Sequence, residues 1–314
     1  MTELLPNTDA GIARAAAILK RGGLVAMPTE TVYGLAGDAS NDAAVAGIYA
    51  AKDRPEFNPL IVHVAEAAQV DRLVHVPPAA LPLMRAFWPG PLTLVLPLRE
   101  GAPVSPLVTA GLDSLAVRIP AHPVARALLR AFGGGVAAPS ANPSGRISPT
   151  AAAHVMAGLG GRIDAVLNGG DCSVGVESTI LGFQGETPVI LREGGVTAEA
   201  IGRILGHAPA RRDEGAAISA PGQMVSHYAP RGRVRLNVTD PEPGETVLGF
   251  GPMPCDLNLS VRGDLVEAAA NLFRRFHDLD EMGAERIAVA PVPDHGLGAA
   301  INDRLRRAAA PRGA

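Results

Sequence analysis

The sequence predicts a mixed α/β protein in two parts: a large domain built on a twisted sheet flanked by helices, then a small Rossmann-like α/β domain. Three observations predict this. Short apolar strand candidates alternate irregularly with helical patterns through the first part, with hairpin-like pairs late in it. Periodicity disappears from Ala208 to about Arg233, where Ala, Arg, Gly, Pro and Ser dominate. Strand–helix–strand order then resumes. The expected units are 1–207, a linker at 208–232 and a second domain at 233–314, in keeping with a 314-residue chain long enough for two ordinary domains.

The elements follow from local pattern. Residues 9–21 read as a helix with Asp9 as N-cap and Gly22 as stop. A buried strand at 24–27 ends at Pro28, and a second helix spans 42–52. A strand at 60–64 precedes helical segments at 66–73 and 81–87. Strands at 92–96 and 115–119 lead to a helix at 124–132, and a short strand at 136–138 opens into a Ser/Pro/Gly loop. Strands at 163–167, 178–183 and 189–191 are closed by a helix at 198–205. In the second domain, strands at 234–237, 247–250 and 287–290 accompany the clearest helix, 264–282. Its Leu265, Ala269, Leu272, Phe276 and Leu279 recur every three or four residues. A last helix covers 298–309, and no GxGxxG fingerprint accompanies these strands.

Composition excludes several classes. Nearly half the residues are apolar, so a sizeable core forms, and the net charge of −3 lacks the basic surplus of a protein held to nucleic acid mainly by phosphates. Cys172 and Cys255 lie far apart without CxxC spacing, which argues against a disulfide framework or a cysteine zinc site. The start carries Glu3 and Asp9 and no apolar run, unlike a signal peptide, and stretches such as 91–98 are too short to span a bilayer. The expected compartment is the cytoplasm. There is no GxxxxGK[ST], HExxH, EF-hand or GxSxG motif, and the eight histidines form no metal-spaced cluster. An enzyme with this sequence works by positioning and charge stabilisation.

Several segments carry candidate chemistry. Residues 28–38, PTETVYGLAGD, set the hydroxyls of Thr29, Thr31 and Tyr33 beside Glu30 on a loop at a strand edge; taken alone, the segment reads better as an ordinary turn with Asp38 or Ser40 capping the next helix. Lys52 and Arg54 close a helix, where cations complement the dipole, but with Asn58 close behind they could also grip a polyphosphate. His63 in PLIVHVA is either a satisfied strand histidine or a site residue. Arg118 differs, because in SLAVRIP it is surrounded by apolar residues and a buried guanidinium is costly without an anion. A structural Asp or Glu can supply that anion, and so can a substrate carboxylate gripped bidentately; the functional reading is favoured here. Residues 138–150, APSANPSGRISPT, place Ser140, Asn142, Ser144 and Ser148 in one stiff loop, as turn formers or as phosphate donors. Glu177-Ser178-Thr179 opens a strand and Leu191-Arg192-Glu193 ends one, while Cys172 reads as packing.

In this order PTETVYGLAGD, KDRPEFNPLIVHV, FWPGPLTLVLP, SLAVRIP, APSANPSG, VESTI and LREGG resemble the YrdC-like L-threonylcarbamoyladenylate synthases over roughly residues 10–205. The remainder resembles the longer, two-domain form of that family, with an APGQMVSHYAP-type linker at 220–230 and GLGAAINDRLRRAA near the end. The resemblance implies a YrdC-like mixed sheet with a deep, positive pocket and a small Rossmann-like C-terminal domain. It implies Lys52, Arg54, Ser140 and Asn142 as nucleotide and phosphate contacts, the two cations being the catalytic candidates. Asn58, Ser114, Ser148 and Arg192 would join them on the ATP side, while Thr31, His63, Arg118 and Ser178 would hold L-threonine and Tyr228 would close over the pocket. Family linkers often carry basic residues before the His-Tyr pair. Here Met224, Val225 and Ser226 stand there, so the segment is expected to act as a lid through His227 and Tyr228 rather than electrostatically.

The implied activity condenses L-threonine, bicarbonate and ATP to threonylcarbamoyl-AMP and pyrophosphate for threonylcarbamoyladenosine modification of tRNA. Mg²⁺ would be carried on the nucleotide, with no protein-bound metal. The product would pass to a downstream tRNA-modifying transferase complex, with direct tRNA binding at most weak and no membrane involved. Two rivals fit less well. An RNA-binding module would use stacking aromatics, which make up only 4% of this chain. A carbamoyltransferase of the hydrogenase-maturation type, which resembles the same domain, expects Cys-rich zinc modules for which two scattered cysteines leave no room.

Overall fold

A computed structural model describes residues 1–55, 58–212 and 227–311. Among them, eleven strands share one sheet: β1 (Glu3–Leu5), β2 (Val25–Met27), β3 (Gly34–Asp38), β4 (Ile61–His63), β5 (Leu92–Pro97), β6 (Ser114–Arg118), β7 (Val136–Ala137), β8 (Ala165–Leu167), β9 (Thr179–Gln184), β10 (Thr187–Arg192) and β11 (Ala210–Arg211). Their order is β1-β8-β2-β3-β7-β4-β6-β5-β9-β10-β11. Pairing is mixed: β4 and β6 run parallel, as do β5 and β9, whereas β2 with β3, β5 with β6 and β9 with β10 are antiparallel. Strands β12 (Arg233–Arg235), β13 (Thr246–Gly249), β14 (Leu257–Asn258) and β15 (Arg286–Val289) form a second, wholly parallel sheet in the order β12-β15-β13-β14. Helices Leu265–Glu281 and Leu297–Ala309 accompany it, giving the Rossmann-like arrangement expected.

Several local expectations are corrected. Thr8, not Asp9, caps the first helix, its hydroxyl accepting from Gly11 N at 3.3 Å. Asn41 rather than Asp38 or Ser40 caps helix Asp42–Lys52, accepting from the amides of Ala43 and Ala44, while the Asp38 carboxylate takes Ser40 N. About half of PTETVYGLAGD is strand β3, and a helix at Ala152–Leu159 fills a stretch to which the sequence assigns no element. Strand β1, only three residues long (Glu3–Leu5), pairs with β8.

Asp53 matters for the site. It ends helix Asp42–Lys52 in the left-handed region (φ 51°) and turns its carboxylate outward to Arg162 at 2.8 Å. That single reversal lets Lys52 and Arg54 both point inward, where they are 1% and 8% exposed.

The two sheets meet in a shared apolar cluster. Val32, Ile147 and Val176 of the large domain pack with Leu272, Phe273 and Phe276 of the small one, and Tyr228 joins them. Gly175 sits at φ 75°, and a Cβ there would lie 2.4 Å from both the Ala269 carbonyl oxygen and the Ala270 Cα. Gly175→Ala is therefore expected to destabilise the chain by about 2–4 kcal/mol, through left-handed strain plus overpacking against a helix backbone. Denaturant unfolding measures it; a loss below about 0.5 kcal/mol would contradict this close approach.

Candidate functional site

The site forms where strand ends converge. Parallel β4 and β6 are in register so that His63 lies beside Arg118. The loop after β2 brings Thr29 to Val32 over them, pinned by the Thr29 hydroxyl, which accepts from the Thr31 and Val32 amides at 3.2 Å each and donates to the Val32 carbonyl at 2.6 Å. The loop after β7 adds Ser140, β9 is entered from Ser178, and β10 ends on Arg192. Together they enclose a cavity of about 50 Å³ whose lining includes Thr31, Arg54, His63, Arg118, Ser140, Ser178, Arg192 and Tyr228.

At one end Arg118 is held on three sides. Its Nη2 donates to the Glu30 carboxylate at 2.6 Å, Nη1 to the Thr31 hydroxyl at 2.9 Å and Nε to the Gly90 carbonyl at 3.2 Å. Glu30 is thus the structural anion that the sequence left open as one of two partners. Two of the five guanidinium N–H groups remain for another acceptor among the described residues. Burial raises the Glu30 carboxyl, but the charge and hydrogen bond of Arg118 outweigh it and leave its pKa below the usual carboxylate range. Burial, then the Arg118 charge, pushes His63 down to about 3, so its imidazole is neutral at physiological pH, and its Nδ1 has no hydrogen-bond partner among the described residues.

That shift has a measurable consequence. Because the folded pKa lies below the unfolded value near 6.5, the unfolded chain takes up the proton first. The contribution of His63 is complete above pH 6.5 and is lost as pH falls from there toward 3, by at most about 1.4 kcal/mol per pH unit. His63→Asn should flatten unfolding free energy against pH between 6.5 and 4; an unchanged slope would show that His63 does not carry it.

The other end is cationic. Arg54 donates from Nε to the Asn58 carbonyl at 3.2 Å and from Nη2 to the Pro59 carbonyl at 3.0 Å. Burial lowers it to about 10, leaving it charged at neutral pH. Arg192 crosses to the Ser178 carbonyl at 2.9 Å and its hydroxyl at 3.3 Å, and the Ser178 hydroxyl shares a 2.7 Å hydrogen bond with Thr93. His227 and Tyr228 close this end with ring centroids 4.0 Å apart. Burial, then the charges of Arg54, Lys52 and Arg192, holds His227 well below its ordinary value. The Tyr228 hydroxyl and His227 Nδ1 have no partner among the described residues.

Four expected residues stand one layer back. The Lys52 ammonium does not face the cavity with Arg54: it donates to the carbonyls of Ser140 and Asn142 and so braces the 140–142 loop from beneath. Burial, then the charge of Arg54, pushes its pKa well below the lysine range. Asn142 donates to the carbonyls of Pro143 at 2.8 Å and Arg146 at 3.0 Å, Ser148 to Glu177 at 2.6 Å, and Asn58 contributes its carbonyl to Arg54. Ser114 is not in the cavity. It stands four residues from Arg118 along β6, about 13 Å at strand rise, on the wall of a separate hollow of about 690 Å³ with Pro97 and Phe183. Met224, Val225 and Ser226 lie outside the described residues.

Sequence reasoning named Glu30 and Glu177 within their segments without giving either a role, and it missed Arg304. Arg304 left a signal: on Leu297–Ala309 it shares the spacing of Ala300, Ile301, Leu305 and Ala308, so a charge falls on the apolar face. It is fully buried, with Nε 3.0 Å from Glu177 Oε2. Among the described residues no group of three His, Cys, Asp or Glu side chains could hold a metal ion, and Glu30 and Glu177 are both engaged by arginines. No described helix is long and apolar enough to cross a membrane.

Fold and site define a class: a two-domain α/β protein whose large mixed sheet carries a sheltered, cation-lined cavity with His227 and Tyr228 at one end. The chain belongs to the Sua5/YciO/YrdC family. Residues 17–194 match that family's model, described as "Telomere recombination", and residues 196–310 match "Threonylcarbamoyl-AMP synthase, C-terminal domain". The threonylcarbamoyl-AMP synthase of Bacillus subtilis is 41% identical over 99% of this chain and 96% of its own length; that of Pyrococcus abyssi is 39% identical over 94% and 92%. The crystal structure of P. abyssi Sua5 complexed with L-threonine superposes with a TM-score of 0.89 at 37% identity, covering 98% of this chain and 97% of that one.

Proposed function

We propose that this chain is an L-threonylcarbamoyladenylate synthase that condenses L-threonine, bicarbonate and ATP to threonylcarbamoyl-AMP and pyrophosphate. The observation that carries the reading is the pairing, in one cavity, of a neutral-histidine and arginine end with a multi-cation end. At the first end Arg118, oriented by Glu30, grips the threonine carboxylate with its two remaining N–H groups, while Thr31, His63 and Ser178 line the amino acid's pocket. At the second, Arg54 and Arg192 take the phosphates, with Ser140 on the loop that Lys52 and Asn142 brace and Ser148 acting through Glu177.

Carbamate formed from the threonine amine and bicarbonate loses its carboxyl group readily in water, so the cavity must exclude solvent. The carbamate oxygen attacks the α-phosphorus, a P–O bond forms, and the bond to pyrophosphate breaks with its electrons leaving on the pyrophosphate. No enzyme nucleophile is needed, only fixed cations where charge accumulates. A cavity of about 50 Å³ is far below the several hundred Å³ that a ligand of nucleotide size fills, so Tyr228 and His227 act as a lid that swings aside for ATP and returns. Ser114 contacts the nucleotide only if its adenosine end reaches along β6. Mg²⁺ would arrive on the nucleotide, and among the described residues no carboxylate group is placed to hold a metal ion.

On the same reading, 1–207 is the catalytic unit, 208–232 the lid-bearing linker and 233–314 the C-terminal domain. The product passes in the cytoplasm to a downstream tRNA-modifying transferase, and at a net charge of −3 direct tRNA binding is weak. Carbon-labelled bicarbonate tests the reading: label should enter an adenylate only when threonine and ATP are both present, and label in adenylate without threonine would refute it.

A further inference from the structure

The small domain places a charged side chain behind the cavity wall, on Glu177. Arg304, on helix Leu297–Ala309, is 0% exposed. Its Nε donates to Glu177 Oε2 at 3.0 Å and its Nη1 to the Glu193 carbonyl at 2.6 Å and Asp303 Oδ2 at 3.0 Å, while its Cζ lies 5.5 Å from the Tyr228 ring centroid. Glu177 lines the cavity, and its other oxygen accepts from the Ser148 hydroxyl at 2.6 Å. Glu177 directly precedes Ser178, whose carbonyl and hydroxyl hold Arg192.

A fully buried ion pair is poor evidence of added stability, because apolar residues of similar shape can replace it without loss. What this pair does instead is set charge and geometry. An unpaired carboxylate at Glu177 would face the end of the cavity occupied by Arg54 and Arg192 and would repel a polyphosphate there. Arg304 neutralises it, fixes which oxygen faces Ser148, and supports the Tyr228 ring from below.

We propose that Arg304 is a positioning residue through which the C-terminal domain completes the nucleotide end of the site, by neutralising and orienting Glu177 and seating Tyr228. The proposal rests on the synthase reading above and deepens it. Its test is the Michaelis constants of Arg304→Met, Arg304→Lys and the double variant Arg304→Met/Glu177→Gln, alongside wild type. Arg304→Met should raise the ATP KM at least tenfold and leave the threonine KM within about twofold. Removing the stranded carboxylate in the double variant should return the ATP KM to within about threefold of wild type. Equal shifts in both constants, or a double variant as impaired as the single, would overturn the proposal, because a merely structural role predicts those. If Arg304→Met does not fold, Arg304→Lys carries the test. Its ammonium keeps the charge beside Glu177, so the ATP KM should stay within about threefold, and a tenfold rise would overturn the proposal. A wild-type chain that makes no threonylcarbamoyl-AMP would instead sink the synthase reading itself.

Discussion

Arg118→Ala is expected to raise the threonine KM by about 10²–10³-fold while shifting the ATP KM less than about threefold. The guanidinium is buried and pre-oriented by Glu30, Thr31 and Gly90, so the N–H groups it offers a carboxylate have lost their freedom before substrate arrives. Losing a charge-assisted pair in such surroundings costs about 3–4 kcal/mol, which is the stated range of affinity. The substitution also strands the Glu30 carboxylate. Because breaking a buried pair costs about 3–5 kcal/mol of stability, thermal unfolding should be followed beside the kinetics. Arg118→Lys separates the two effects: it restores a charge near Glu30 but not the planar fork, so it should recover stability more than threonine affinity. Equal increases in both KM values for Arg118→Ala would contradict the assigned role.

Arg54→Ala is the second large effect. With Arg192 it is one of the two cations on the wall of the nucleotide end, since Lys52 is committed to the loop carbonyls. Removing a preorganised charge from a water-excluding site should lower kcat by about 10²–10³-fold, or about 3–4 kcal/mol. Threonine binding measured by calorimetry without ATP should stay within about threefold. Lys52→Met should behave differently. It withdraws the support of the Ser140 and Asn142 carbonyls, so its loss should appear in stability and ATP KM before kcat. A kcat for Arg54→Ala within threefold of wild type would remove Arg54 from the transition state.

Much of the fold was legible because its helices obey their local signals. Helices Asp42–Lys52 and Ala198–Leu205 fall on the residues expected, and Leu265–Glu281 within one residue at each end, because apolar spacing and caps agree there. Strand β3 was not legible. Gly34, Ala36 and Gly37 carry no β-branched side chain, and they are small because Gly34 abuts Ala138 and Gly37 abuts Ile48. In helix Ala152–Leu159 two short apolar turns follow a proline-rich loop, with no side-chain cap to mark the start.

At the site, sequence reasoning found the side chains but not their layering. Lys52 and Arg54 look equivalent as letters, and only the left-handed Asp53 between them decides that one braces a loop while the other faces the cavity. Ser114 fell outside because a strand separates i and i+4 by some 13 Å even when they share a face. The roles of Glu30 and Arg304 were missed for a common reason. Each is the buried partner of another charge, Arg118 and Glu177, and such pairs span 88 and 127 residues of sequence, a distance over which local pattern carries no information.

One cavity must grip a triphosphate beside an amino acid for this chain to work as a synthase. Pyrophosphate release with threonine, bicarbonate or ATP withheld in turn tests it most directly. Release should need all three and fall to background when any one is missing; release continuing unchanged without threonine would contradict it.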